Sequence, residues 1–505
     1  MSDRNLNRQA LFETMPVHQA VWTMAIPTIV TQLINIVYNY ADTWFVGRSG
    51  NAAMVAAMGV SFPMYVILAA LANLFGIGGS SVISRSLGEK NMDKARRTFT
   101  LCFWMGMCAA VLFSVLIFTF RSPLIYLVGG DKADFDYVSS YMFWTMAIGA
   151  IPSVGNVLCG HLIRSVGASK TAGFGMSMGG ILNLFLDPLF MFVILPEGME
   201  VTGAAVATLC SNIVAFLFFL RYMYRINKRR KSLNSRGGNA EPGNADSSFG
   251  SGEEPGSAEA SDLRLQVVDI RPSNLHGAFS IVPEVLAVGI PAALQTTLAM
   301  LSNIFANRLI RSYGSSAVAG MGIAKKVNMI AFNTCMGMTM GVLPLLGYSF
   351  GAKNFDRFRK IVRYTGTVVV IYGICCTAVF ISTAPYLVKF FIDEAGAVHY
   401  GSEFLRIIGY AAPFAAFTYL SYTVFQSAGM KWSAFLTSVM RKGGLDIPLM
   451  FLLRAHFGAR GVCYATPAAE VLGVLFALLL YRRFRKNIRK EEAVERDLEQ
   501  KSKNR

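Results

Sequence analysis

Charge is what this 505-residue chain has least of: Asp, Glu, Lys and Arg together make up only 15% of it, about ten points below the quarter usual in soluble domains. So few charges cannot cover a water-soluble enzyme of this size when 53% of the residues are apolar. The same composition excludes a disordered or fibrous chain. The eight cysteines contain no CxxC pair and no metal-ligand spacing, so neither a disulfide framework nor a zinc site is expected. No GxxxxGK[ST] loop occurs, which disfavours an ATP-driven pump. No mid-membrane His, Ser or metal cluster points to an intramembrane enzyme. The net charge of +17 suggests nucleic acid only if its cations form one soluble face, and most of them lie between long apolar runs.

Those runs are what the sequence does have. A helix needs roughly 20 apolar residues to cross about 30 Å of hydrocarbon. Such spans lie near 20–47, 53–84, 96–120, 136–163, 171–195 and 202–225, then near 280–310, 317–349, 361–388, 402–427, 433–453 and 460–482. The expected fold is an all-α membrane protein of twelve transmembrane helices. Placing both termini in the cytoplasm puts 34 of the 47 basic residues on the inner side and 8 outside, as the positive-inside rule requires. The first span has no small-residue cleavage site after it and is expected to be retained. Residues 227–279, rich in Gly, Ser, Asn, Glu and Pro after a basic start, read as a disordered cytoplasmic linker between an N-lobe (1–226) and a C-lobe (280–485). A charged cytoplasmic tail (486–505) follows.

The two lobes resemble each other. Pro27 matches Pro291, Asn39 matches Asn303, Gly50 matches Gly314, Gly59 matches Gly322 and Gly88 matches Gly351. The register continues through Asp93 with Asp356, Pro152 with Pro413, Gly167 with Gly429 and Pro188 with Pro448. Six spans per half is an even number, so the second half enters the membrane in the orientation of the first. This is a parallel repeat about an axis along the membrane normal. Two such bundles facing each other would enclose a cleft, and rocking them would give alternating access.

Several stretches resemble the multidrug and toxic compound extrusion (MATE) transporters. NIVYNYADTWFVG (Asn35–Gly47) is similar to that family's first helix, and GIGGSSVISRSLGEKN (Gly76–Asn91) to the exit of its second. LIRSVGASK (Leu162–Lys170), NLFLDPLF (Asn183–Phe190) and GAAVAT (Gly203–Thr208) resemble its fourth, fifth and sixth helices. SFGAKN (Ser349–Asn354) and FQSAGMK (Phe425–Lys431) resemble the second-half equivalents. The likeness covers about residues 12–482 apart from the linker, and the chain resembles bacterial members of the MepA and DinF type. It implies a secondary antiporter in the bacterial inner membrane that exports drugs or other amphipathic organic cations in exchange for H+ or Na+. The implied partners are drug-like substrates and membrane lipids; nucleic acid is not one, no cofactor beyond the coupling ion is implied, and a monomer is expected. A lipid or glycolipid flippase of the same superfamily is the alternative.

Ionisable groups inside spans are expensive in hydrocarbon and are functional candidates by default. Asp187 lies near the middle of the fifth span, with Asn183 one turn earlier on the same face. Pro188 removes a backbone donor and frees the carbonyl of Leu184. A carboxylate, an amide oxygen and a freed carbonyl make a plausible site for a proton or Na+, and the resemblance points to the same Asn and Asp. Asp42 in the first span is the second candidate, with Tyr38 and Asn39 one turn away. The resemblance adds Thr208 as a hydroxyl ligand, on a stripe with Ser211 and Asn212. The repeat places Ala306 and Ile447 opposite Asp42 and Asp187, with Asp446 only adjacent, so ion coupling is expected in the N-lobe. The C-lobe holds Lys325, Lys326, Arg441, Lys442, Asp446 and Glu470 instead. Internal pairing of Arg441 or Lys442 with Asp446 or Glu470 is the favoured reading, and recognition of anionic or zwitterionic substrate the other. His161 and Arg164, near the inner end of the fourth span, read as satisfied helix-end cations, with titration or contact to lipid phosphate the other reading.

Overall fold

The computed structural model describes residues 8–47, 52–127, 132, 134–237 and 263–503, and every regular element among them is a helix. In chain order these are α1 (Arg8–Glu13), α2 (Val17–Gly47), α3 (Ala52–Gly88), α4 (Met92–Leu127), α5 (Phe135–Met142), α6 (Ala150–Ser165), α7 (Ser169–Leu189) and α8 (Glu200–Gly237). After the short α9 (Leu263–Val267) come α10 (Val282–Ile310), α11 (Ser315–Gly351), α12 (Phe355–Lys389), α13 (Ala395–Gly409), α14 (Ala412–Ser427), α15 (Lys431–Ser438) and α16 (Ile447–Lys503).

Among the described residues, nine helical stretches are long and apolar enough to cross a membrane. Two bent pairs do so jointly: Phe135–Ile148 with Ala150–Ser165, bent by 52°, and α13 with α14, bent by 46°. The longest stretch, Lys431–Lys486, runs for 56 residues and breaks at Gly458, where φ is 60° and ψ −135°. That length is more than twice what one crossing needs, and the break at Gly458 gives it room for the last two of the spans expected from sequence.

The repeat is visible in backbone detail. The turns after α3 and α11 are Gly88-Glu89-Lys90-Asn91 and Gly351-Ala352-Lys353-Asn354. Lys90 and Lys353 both adopt left-handed φ, of 58° and 55°. Asn91 then accepts from the backbone N–H of Lys94, and Asn354 from that of Arg357, each at 3.0 Å. Capping a helix start in this way satisfies one of its orphan donors. Gly167 and Gly429 share a positive φ as well, 78° and 69°. Gly50, the partner of Gly314, lies outside the described residues.

Two expectations need correction. The linker is shorter than composition implied: residues 227–237 continue α8, and 263–279 fold onto α4 and α8. Leu263, Leu265, Val267 and Val268 are buried there. Arg96 Nε donates to the Gln266 carbonyl at 2.7 Å, Thr100 Oγ1 to that of Asp269 at 2.8 Å and Trp104 Nε1 to that of Ile270 at 2.9 Å. Averaging over the whole segment hid this aliphatic run; only 238–262 of the expected linker lies outside the described residues.

The packing boundary also departs from the linker. One compact unit comprises Met1–Thr297, Met340–Ala352 and Ser427–Gly429; the other comprises Leu298–Thr339, Lys353–Gln426 and Met430–Arg505. The first unit thus takes the start of α10 and the end of α11. Backbones meet directly there. A methyl built on Gly88 would overlap the Tyr348 carbonyl oxygen and stand 2.6 Å from Ala352 N, one on Gly78 would stand 2.5 Å from the Val285 oxygen, and one on Gly289 would overlap that of Leu74. Gly88→Ala is therefore expected to destabilise by about 3 kcal/mol, the upper range for overpacking. Gly59→Ala, where nothing lies within 4 Å, should be neutral or stabilising, since alanine is the better helix former. Thermal melts of the purified variants compare the two.

The folded-back segment has its own pH dependence. Burial pushes the Asp269 carboxyl up, but hydrogen bonds from Arg230, Asn274 and the Arg271 N–H outweigh it and hold the group below its ordinary value. Arg230 Nη2 lies 2.7 Å from Asp269 Oδ2. A depressed carboxylate stabilises above its unfolded value and loses that contribution as pH falls through the folded one. The attachment of residues 263–279 is thus expected to hold at neutral pH and loosen below about pH 4. Hydrogen exchange of these amides checks this, and Arg230→Gln should weaken the dependence at a cost of about 1 kcal/mol, with Asn274 and the Arg271 N–H still on the carboxylate.

Candidate functional site

Three helices of the first unit carry the expected coupling residues: α2 (Tyr38, Asn39, Asp42), α7 (Asn183, Asp187) and α8 (Thr208). α7 packs against both of the others, and its glycines permit the approach. A methyl on Gly180 would meet Ile34 Cγ2 at 3.2 Å and Tyr38 Cβ at 3.6 Å, and one on Gly179 would meet Asn156 Nδ2 at 3.3 Å. Small residues at such seams are how membrane helices close on one another.

Asp187 is fully buried, and Asn183, Thr208 and Asp42 are nearly so. Asn183 Nδ2 donates to Asp187 Oδ1 at 2.8 Å and to Thr208 Oγ1 at 3.4 Å. The sequence placed the first two on one helical face; the structure adds Thr208 from α8. The other oxygens, Asp187 Oδ2, Asn183 Oδ1 and Asp42 Oδ1, are buried with no hydrogen-bond partner. An unpaired buried carboxylate oxygen carries a large desolvation cost, which a proton or a hard cation would relieve. The charge of Asp42 also acts on Asp187, so the two carboxyls are electrostatic neighbours.

Below the site the helix changes form. Pro188 lacks an N–H, and the chain continues as a π-helical stretch, Phe190–Ile194, with the Phe190 N–H donating to the carbonyls of Asp187 and Leu186. Wide turns of this kind are frequent at functional sites. Asn39 uses its amide on the Asn35 carbonyl of its own helix at 2.6 Å, while Tyr38 faces the Gly180 seam.

Sequence reasoning missed three neighbours. Tyr65 and Tyr141 both feel the charge of Asp42. Asn156 donates to Asn212 at 3.3 Å and has its own oxygen buried without a partner. A tyrosine or asparagine in an apolar span carries no periodic signal, and only the packing of α3, α5 and α6 brings them near. His161 and Arg164 lie 3.3 Å apart, with Arg164 also on Met176 Sδ and its Nε buried without a partner.

The second unit spends its buried charge differently. Arg441 Nε donates to both Glu470 oxygens, at 2.8 and 3.0 Å, and stacks 3.9 Å from the Tyr419 ring centroid. Thr418 Oγ1 donates to Glu470 Oε2 at 2.7 Å. Asp446 accepts from Ser302 at 2.6 Å and Lys442 at 3.3 Å. Arg441 and Asp446 sit on another π-helical stretch, Val439–Asp446, which ends two residues before Pro448. Lys325 donates to Asn307 Oδ1 at 3.1 Å, and Lys326 is partly buried beside it.

The sequence profile described as MatE matches the chain twice, over residues 27–189 and 290–452. The multidrug export protein MepA of Staphylococcus saprophyticus is 25% identical over 470 residues, which cover 93% of this chain and 94% of that protein. MepA of Staphylococcus aureus gives the same figures. The crystal structure of a MATE protein in complex with MaL6 aligns with a TM-score of 0.83 at 21% identity, over 96% of this chain and 99% of that one. A Vibrio cholerae MATE transporter, VcmN, aligns with a TM-score of 0.78 at 20% identity over 95% and 98%.

Proposed function

The chain belongs to the MatE family, and from that premise we propose that it is a secondary antiporter exporting amphipathic organic cations in exchange for H+ or Na+. It is a multi-pass membrane transporter and not an enzyme. Export of drug-like compounds is supported by relatives described as multidrug export proteins along nearly their whole length. Its basic inner segments support an orientation with both termini in the cytoplasm; a monomer in the bacterial inner membrane completes the proposal.

The observation that carries the coupling mechanism is the set of unpartnered buried oxygens on Asp187, Asn183 and Asp42. They are hard donors, suited to a proton on a carboxylate or to Na+ held between carboxylate, amide and Thr208 hydroxyl. Occupancy would neutralise charge between α2, α7 and α8 and alter how these helices pack. An empty, charged site would favour one orientation of the lobe and an occupied one the other, so ion entry and drug release become linked. Pro188 and the π-helical turn after it give α7 a place to bend.

The test is dye export from vesicles holding wild-type protein, with a pH gradient or an Na+ gradient imposed separately. One of the two should drive export, and its collapse should stop it. Export indifferent to both would overturn the coupling. A wild type that moves no cationic dye but binds a lipid-linked sugar would favour the flippase.

A further inference from the structure

The second unit contains a charge cluster, buried at Asp446 and half-buried at Lys325, that ion coupling does not use. Arg441 is neutralised by Glu470, but two ammonium groups, Lys325 and Lys442, lie in range of the single carboxylate of Asp446. Lys442 holds Asp446 Oδ2 at 3.3 Å, with Ser302 on the same oxygen. Lys325 lies within electrostatic range of both Asp446 and Lys442, yet its hydrogen bond goes to the neutral amide of Asn307. Lys325, Lys442 and Asp446 together thus carry one positive charge in excess. Asp446 is 1% exposed, and its Oδ1 has no partner. Asn307 also lines a recess of about 1010 Å³ together with Arg308, Arg311 and Ser315. Every charged residue on that recess is basic.

A site of this kind repels a simple organic cation. It offers an ammonium to a monoanionic group, and the guanidinium groups on the recess that Asn307 lines would attract one. We infer that Lys325, with Asn307 and the Lys442–Asp446 pair behind it, forms a subsite for the anionic group of zwitterionic amphipathic substrates. This rests on the export reading above and names a substrate class within it. A carboxylate on a drug and the phosphate of a membrane lipid share the required chemistry, and the experiment separates them.

Binding of rhodamine B, which carries a free carboxylate, and of its ethyl ester, which does not, is measured by fluorescence anisotropy on the purified full chain. Wild type should bind both. Lys325→Gln should weaken rhodamine B about tenfold, the scale of a lost charge-assisted hydrogen bond, and leave the ester unchanged; Lys325→Arg should restore most of the difference. Equal loss of both dyes would mean that Lys325 is structural and would overturn the subsite. Wild type that binds the ester but not the acid overturns it while leaving cation export intact, whereas binding of neither overturns both readings. Displacement of rhodamine B but not the ester by dihexanoyl phosphatidylglycerol would assign the subsite to lipid phosphate and overturn the substrate class.

Discussion

Asp187→Asn is expected to bring gradient-driven export down to the level of cells without the transporter, at normal expression and with dye binding retained. The substitution keeps size and hydrogen-bonding shape, so it removes the titratable and cation-binding charge without leaving a cavity. Asn183 Nδ2 would still find an amide oxygen at the place of Asp187 Oδ1. Loss of transport with retained binding would therefore localise the defect to coupling. Asn183→Leu and Thr208→Val should slow export less, since each removes one neutral oxygen and leaves the carboxylate. Asp42→Asn should fall between, because it removes a buried carboxylate charge but not the one that Asn183 holds. Full gradient-driven export by Asp187→Asn would sink the mechanism, whatever the behaviour of the others.

The asymmetry between the halves explains why some of this could be read from sequence. Asp187 and Asn183 are four residues apart on one helix, so local periodicity places them together. Prolines and glycines with matched positions announced the repeat, and the left-handed Lys90 and Lys353 show that equivalence at the level of single backbone angles. Thr208 entered only through family resemblance, because its meeting with Asn183 depends on how α8 packs on α7. Tyr65, Tyr141 and Asn156 had no such cue. The linker misled in the opposite sense: its composition is that of a disordered segment, but Leu263, Leu265, Val267 and Val268 suffice to fix its end against α4 and α8. The two compact units likewise departed from the repeat boundary, because glycines on α3 and α10 let backbones touch where hydropathy shows only apolar helix.

Glu470→Gln is expected to cost about 3–5 kcal/mol, the effect of removing one partner from a buried ion pair. Arg441 and Glu470 are 4% and 1% exposed at their side chains, so the orphaned guanidinium could not turn to water. Its stacking on Tyr419 would remain but cannot replace a carboxylate; cation–π contacts are worth about 2 kcal/mol when desolvated. The purified variant should melt about 6 °C or more below wild type. Replacing both residues by methionine should recover most of that loss, because two apolar side chains of similar volume remove the desolvation cost together with the attraction. Thr418 would not be stranded, since its hydroxyl also reaches the Ala415 carbonyl at 3.0 Å. The double variant thereby separates two roles for the pair. If it melts like wild type and still exports dye, the pair only fixes the packing of α14 and α16 around the π-helical stretch. If it is stable but no longer transports, the charge itself acts in the cycle, and the second half of the repeat contributes more than a scaffold to coupling. Equal destabilisation of single and double variants would show that the pair's worth lies in shape and stacking, against the electrostatic account.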